Sequence, residues 1–531
     1  MKKSIGGLAG VVLLFVQAEA SAQTASPPQV LGRLAGPGGS LSQPGLKFYG
    51  TDSGWTFVHH GKLEILFGDT WTNSHFPCDP PPTNDDSQGI LPLLNPGGVP
   101  PLTFETVPSS PTDLATIHLF RGTESLSMGF GKVALTGFSD GHVAVGAFGR
   151  QDFVRCESPS SGAPPACPNG AGLTCSKDVG ECQPAFLDIP VLCDATTGGG
   201  CLQGQTCTQT TGFCIDPNSS QNDGTASSER FTVAHNIDLG IQRASAPTVY
   251  DSGIELPTNK FINMTSRTVK KFSLGGHDND YRPGDDYLLV WGRPGFFGEQ
   301  GRQDQLYLFA EKLPLKIDAH GRIDLHPRYF AGLNGNDRQP KWSNRPEDAA
   351  PLALDGRVAG NPHEALVIVD QMAVSFLPAP VNKWVMLYGG DVPDILLVDP
   401  TNARPGPNPG TIMMRFADNP WGPWSPPSPH LSPGNPGVVG DPYGPGGFLF
   451  HFACVDQPGA TCARTDPTRP LDVFNPGCAP FPFPFDIGRL YAVNIIDAYT
   501  RQNHEGGLDV FWNVSTWNPY GVMMMKTTVN P

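Results

Sequence analysis

Charge is scarce in this chain. Only 16% of its 531 residues are Asp, Glu, Lys or Arg, and the basic ones are scarcer, 35 against 50 acids, for a net charge of -15. Nucleic acid and acidic membrane surfaces are anionic, so neither is an expected partner. Past the N-terminal segment, no apolar run reaches the roughly 18 residues of a membrane span. Helical periodicity is equally thin, with no pattern longer than about three turns. The sequence has no H-E-x-x-H and no phosphate loop. Their absence removes the zincin and nucleotide-binding readings. Nor is there a C-x2-C pair among its 12 Cys, which weakens a zinc reading.

What is abundant is Gly (63) and Pro (56). They punctuate short runs rich in β-branched and aromatic residues, such as YLLVW, KWVMLYG and LDVFWN. The first residues carry a secretory pattern: Lys2 and Lys3, an apolar Ile5–Val16, and Ala20-Ser21-Ala22 as a cleavage site. The expected location is therefore extracellular or periplasmic, where 12 Cys fit an oxidising compartment.

The pattern divides the chain into a signal peptide (1–22), a flexible leader (23–45), a β-rich part (46–155), a Cys-rich disulfide insertion (156–216) and further β-rich units (217–531). In the insertion, CPNGAGLTCSKDVGEC and CLQGQTCTQTTGFC share a G-x-x-C-x6-C ending and read as a duplicated mini-module. Outside it, a loosely repeated strand–turn–strand unit ending in aromatic-Gly or Trp favours an all-β propeller over a sandwich or barrel.

The stretch that carries chemistry is YGTDSGWTFVHHGKLEILFGDTW, residues 49–71. It reads as two strands, Trp55–His59 and Lys62–Phe67, joined at His60-Gly61. A regular two-residue turn there pairs Asp52 with Asp69 across the open end and sets both on the face of Thr56, Val58, Leu63, Ile65 and Phe67. Gly54 and Gly68 beside the acids can break that ladder. Two converging carboxylates are what glycoside cleavage needs, one protonated for the leaving oxygen and one ionised for water or C1. Spacing leaves open which acid is the proton donor, and retention or inversion.

TDSGW…LEILFGDTW, NDDS at 84–87, VWGR at 290–293, RFADNPWGPWSPP at 415–427 and STWNPYGVMMMKT at 515–527 together resemble domain-of-unknown-function family 4185, whose members include the endo-D-arabinanases of glycoside hydrolase family 183. The resemblance runs from about residue 45 to the C-terminus, without the insertion. It implies a five-bladed propeller, hydrolysis of α-1,5-linked D-arabinofuranose chains, and catalysis by Asp52 and Asp69.

Further candidates for the substrate site are Trp71, Asp85 and Asp86, with Trp291 to stack on a sugar face and Arg293 to bind hydroxyls or depress a carboxylate pKa. Glu364 in NPHEA is a spare proton donor, and Asn518 and Tyr520 in STWNPY complete the set. His277, Asp278, Asp280, Asp285 and Asp286 make an oxygen-rich stretch that a structural Ca2+ would suit; no cofactor is required for the chemistry. The expected partner is a polysaccharide and the expected state a monomer. Two other readings remain: a non-catalytic carbohydrate-binding or adhesion propeller, and a propeller glycosidase acting on L-arabinan or another glycan.

Overall fold

The computed structural model describes residues 23–36, 39–48, 50–71, 85–95, 97–107, 110–117, 132–140, 144–151, 173–175, 182–184, 206–207, 214–215, 229–236, 250–256, 260–261, 263–275, 284–293, 306–317, 323–335, 338–354, 369–389, 412–431, 490–516 and 521–531. Within some strands only the backbone is described, Asp69, Trp71, Asp85 and Asp86 among them.

Among the described residues, five antiparallel sheets carry four or more strands each. Their first strands in sequence are Gly50–His59, Lys132–Ser139, Asn263–Phe272, Val369–Leu377 and Leu490–Ile495. Each first strand packs against that of the next sheet, and the last returns to the first. That closed circuit of inner strands is a five-bladed β-propeller. The remaining strands of each blade step outward in hairpin order.

Middle strands are buried on both faces because every blade is sandwiched between two others. Leu63 to Gly68 and Trp384 to Gly389 are buried throughout, so alternation along these strands chooses between two cores rather than between core and water. Leu63, Ile65 and Phe67 enter the core shared with the last blade, beside Phe511 and Met524. Leu66 faces the second blade instead, close to Gly137. The core between blades three and four is built on Trp291, Trp384, Tyr388 and Trp424.

The N-terminal residues are not a loose leader. Gln29–Ala35 pairs with the C-terminal strand Gly521–Asn530, as does Thr24–Ala25, so the N-terminus supplies the outer strand of the last blade. Their Pro- and Gly-rich flanks suggested disorder, but an edge needing a partner and two apolar side chains decide otherwise: Leu34 and Ala35 are fully buried.

The Cys-rich segment lies between the second and third strands of blade two, Ala144–Gln151 and Glu229–Asn236. Its two repeats form matching hairpins, with Cys175 opposite Cys182 and Cys207 opposite Cys214. The x6 spacing that defined the repeat is thus the spacing of a hairpin. Among the described residues no helix is long and apolar enough to cross a membrane.

One buried acid sets a pH dependence. In blade three the Glu311 side chain accepts the His326 backbone N–H at 2.8 Å, and burial pushes its pKa up to about 7. A carboxyl that holds its proton more tightly folded than unfolded favours the fold below pH ~4.5 and loses that contribution as pH rises towards about 7. Glu311→Gln should therefore raise stability at pH 8 by about 1–3 kcal/mol and change it little at pH 4, measured by urea unfolding at both pH values. Leu34→Ala, which opens the closing strand, should cost about 2–5 kcal/mol in the same assay.

Candidate functional site at the start of the inner strands

The hairpin expected around Asp52 and Asp69 is present and longer than its apolar core suggested, Gly50–His59 with Lys62–Trp71. Its turn has positive φ at both His60 (44°) and Gly61 (78°), the type I′ arrangement that suits twisted strands. Near the turn the register is the expected one, Trp55 opposite Leu66, and it is recovered at the mouth, where Thr51 faces Thr70.

Between those points the ladder breaks twice. Ser53 faces Phe67, which leaves Asp52 opposite two residues, Gly68 and Asp69, and Gly54 opposite none. The second break follows from backbone conformation: Ser53 (φ 65°) and Gly54 (φ 105°) are consecutive left-handed residues. Asp52 and Asp69 are therefore not a regular cross-strand pair, and parity does not carry from Trp55 to Asp52. They share a double bulge, at the end where the inner strands begin.

The Asp52 carboxylate occupies space that only a glycine opposite can leave. A Cβ on Gly68 would lie 2.3 Å from Asp52 Oδ1. Asp52 itself is buried to 9% exposure, and its Oδ2 accepts the Tyr491 hydroxyl of the last blade at 3.0 Å. Ser53 Oγ stands 3.5 Å from Oδ1. Beside it, Ser53 N–H donates to Ser515 Oγ at 2.7 Å, and Ser53 Oγ donates to Gln371 Oε1 at 3.4 Å. Under the bulge, Asn494 and Asn513 both donate their side-chain amides to the Gly54 carbonyl, at 2.9 and 2.7 Å.

A row of hydroxyls fixes the other strand. Thr70 donates to the Gly68 carbonyl at 2.8 Å and stands 2.8 Å from Thr51 Oγ1 and 2.7 Å from Ser87 Oγ. Its single proton and two lone pairs account for all three contacts, provided Thr51 and Ser87 donate. The row crosses three strands and holds the backbone next to Asp69.

The other expected site residues divide. Asp85 and Asp86 open a strand, Asp85–Leu91, rather than lying in a loop, and Asp85 pairs with Thr70. With Trp71 opposite Gly50, their backbones cluster at the hairpin mouth beside Asp69. Arg293 is buried where its strand pairs with Asn263, the start of the third inner strand.

Trp291 is not a sugar platform. It is fully buried, its ring 5.5 Å from that of Trp384, and its indole N–H donates to the Pro420 carbonyl at 2.9 Å. An aromatic at a strand end carries the same sequence signal in a core and in a subsite; here the next blade covers it. Glu364, Asn518 and Tyr520 lie outside the described residues, as do His277, Asp278 and Asp280. Asp285 and Asp286 are engaged within the protein: Asp285 pairs with Lys312 at 2.6 Å, and Asp286 accepts the Lys271 N–H at 2.8 Å.

Tyr491, Gln371, Ser515, Asn494 and Asn513 were missed from sequence. The available signal was a polar residue interrupting an apolar strand, as in LYAVNI or VFWNVST.

No protein-family model matches the chain. No curated protein matches it either. Among solved structures it is similar to a Bacteroides ovatus protein assigned provisionally as a hydrolase, at 7% identity and a TM-score of 0.36, covering 91% of this chain and 86% of that one. It is also similar to an α-L-arabinofuranosidase of Podospora anserina, at 9% identity and a TM-score of 0.30, covering 96% and 98% of the two chains. A Trypanosoma rangeli sialidase gives 7% identity and a TM-score of 0.29 over 90% of this chain and 55% of its own. Scores this low carry no weight for activity, and the propeller rests on the strand pairings themselves.

The geometry at Gly68 makes a direct prediction. Gly68 does not need a left-handed φ, so Gly68→Ala strains no backbone; by displacing the buried Asp52 carboxylate it should cost about 1–3 kcal/mol of stability. Any activity that depends on Asp52 should fall by about 100-fold, as a displacement near 1 Å does in other active sites. Steady-state kinetics beside a thermal melt check both halves.

Proposed function

We propose that the protein is a secreted glycoside hydrolase that cleaves arabinofuranosyl linkages, endo-acting on α-1,5-linked D-arabinan, by a two-carboxylate mechanism with Asp52 and Asp69. The observation that carries this reading is the double bulge at the mouth of the first hairpin. It sets Asp52 beside the strand of Asp69 at one end of the propeller axis, with a glycine opposite to make room for the carboxylate. A structural acid capping a strand end needs no such arrangement.

The resemblance to the endo-D-arabinanase family supports the substrate, since its hairpin motif contains both acids. The acidic composition fits a neutral polymer as partner. Glycoside cleavage then requires one carboxyl to protonate the leaving oxygen and the other to act on C1 or on water. Close carboxylates assist this by holding their pKa values apart. Asp85, Asp86 and Trp71, whose backbones cluster at the hairpin mouth, and the buried Arg293 are assigned to substrate binding in this reading.

The test is incubation with D-arabinan and L-arabinan followed by chromatographic product analysis. Wild-type protein should shorten D-arabinan to oligosaccharides, and Asp52→Asn and Asp69→Asn should each lower the rate by about 10²–10⁴-fold. Release from L-arabinan alone would move the substrate assignment. Glycan binding without cleavage would make this a binding propeller. Cleavage that persists unchanged in both variants would remove these residues from the mechanism.

A further inference from the structure

The proposed reaction needs one of the two acids to be ionised and the other protonated, and nothing in the hairpin itself says which. The residue facing Asp52 from the last blade does. Tyr491 lies in the inner strand Leu490–Ile495, far from Asp52 in sequence, and its hydroxyl donates to Asp52 Oδ2 at 3.0 Å. The ring is half-buried, so the phenol stands at the edge of the site rather than in a core.

The aim of that hydroxyl is built into the backbone. The pairing of Leu490–Ile495 with Leu508–Thr516 is regular at Tyr491, which faces Ser515, and then shifts before Asn494. In the shift sits Ala492, a buried alanine at φ 51°, a left-handed conformation that alanine rarely adopts. Strained residues of this kind persist where the surroundings over-determine them, and they gather at functional sites. The bulge faces the left-handed pair Ser53-Gly54 across the seam between the last and first blades. Asn494 and Asn513, directly paired with each other, tie the two bulges together through the Gly54 carbonyl. Irregularities on both sides of one seam thus converge on a single phenol–carboxylate contact.

We propose that Tyr491 is a positioning residue that holds Asp52 as the ionised carboxylate, making Asp52 the base or nucleophile of the pair and leaving Asp69 as the proton donor. A hydroxyl bonded to a carboxylate favours the charged form, and such charge-assisted bonds are the stronger class. Two hydroxyls face Asp52, those of Tyr491 and Ser53, and the titratable Asp69 is next to Gly68 on the neighbouring strand. Proton flow follows: Asp69 gives its proton to the leaving oxygen, while Asp52 either takes one from the attacking water or bonds to C1. Tyr491 keeps its proton throughout.

This assignment rests on the glycosidase reading, and the test separates the two. For wild type and Tyr491→Phe, kcat/KM on D-arabinan is measured against pH. The acid limb, where the ionised group is lost, should move up by about one to two pH units in the variant, with the alkaline limb and KM little changed. A purely structural tyrosine would lower activity at all pH values without moving a limb. An unmoved acid limb overturns the proposal, and a shift of the alkaline limb instead would make Asp52 the proton donor.

A second measurement needs no substrate. Urea unfolding of wild type, Tyr491→Phe, Asp52→Asn and the double variant should show coupling at pH 7 that disappears below pH ~3, where a carboxylate is protonated. Absent coupling at pH 7 overturns the proposal even if activity is found. If wild type cleaves no arabinan, the glycosidase reading fails while the unfolding cycle still decides the state of Asp52.

Discussion

The structure depends on one seam, where the last inner strand meets the first. Every other pair of adjacent blades is consecutive in sequence; this one joins the first inner strand to the last. Near the axis it is polar. Tyr491 reaches Asp52, Ser515 holds Ser53, and the Asn494–Asn513 pair grips Gly54. Buried polar groups are favourable only when each finds a partner, so the seam accepts one alignment of the blades. A slip by one residue would leave amides and hydroxyls without bonds.

Farther along the axis the last inner strand is tied to two other blades. Arg267 of the third inner strand donates to the Ile495 carbonyl at 2.9 Å and pairs with Asp497 at 3.0 Å, and Asp497 also accepts the Ser375 hydroxyl. Three blades thus meet at a carboxylate just past the last inner strand. On the outside, Gln29–Ala35 completes the last sheet and adds Leu34 to the core shared with the first. Closure is therefore apolar at the rim and polar at the axis, and both layers are needed to position the candidate site.

Much of the architecture was legible because it depends on periodicity and turn chemistry. Short β-branched runs between Gly and Pro gave most of the strands, and His60-Gly61 gave the first hairpin with its two acids. The local register was not legible. Pattern counting assumes one residue per step, and the left-handed pair Ser53-Gly54 inserts a step that no hydrophobicity pattern records. Trp291 was misread because aromatic–Gly strand ends look alike in a core and in a cleft. The leader was misread because composition reports local preference, while an unpaired edge 500 residues away supplies the structure. Tyr491 was invisible for a similar reason: its meaning depends on a partner at the other end of the chain.

The strand that completes the ring begins near residue 24, yet its partner is Gly521–Asn530, at the far side of the sequence. The earlier segment therefore waits for the later one, and Asp52 waits for Tyr491. A copy cut before residue 490 would keep Asp52 and Asp69 but lose the contact that fixes Asp52.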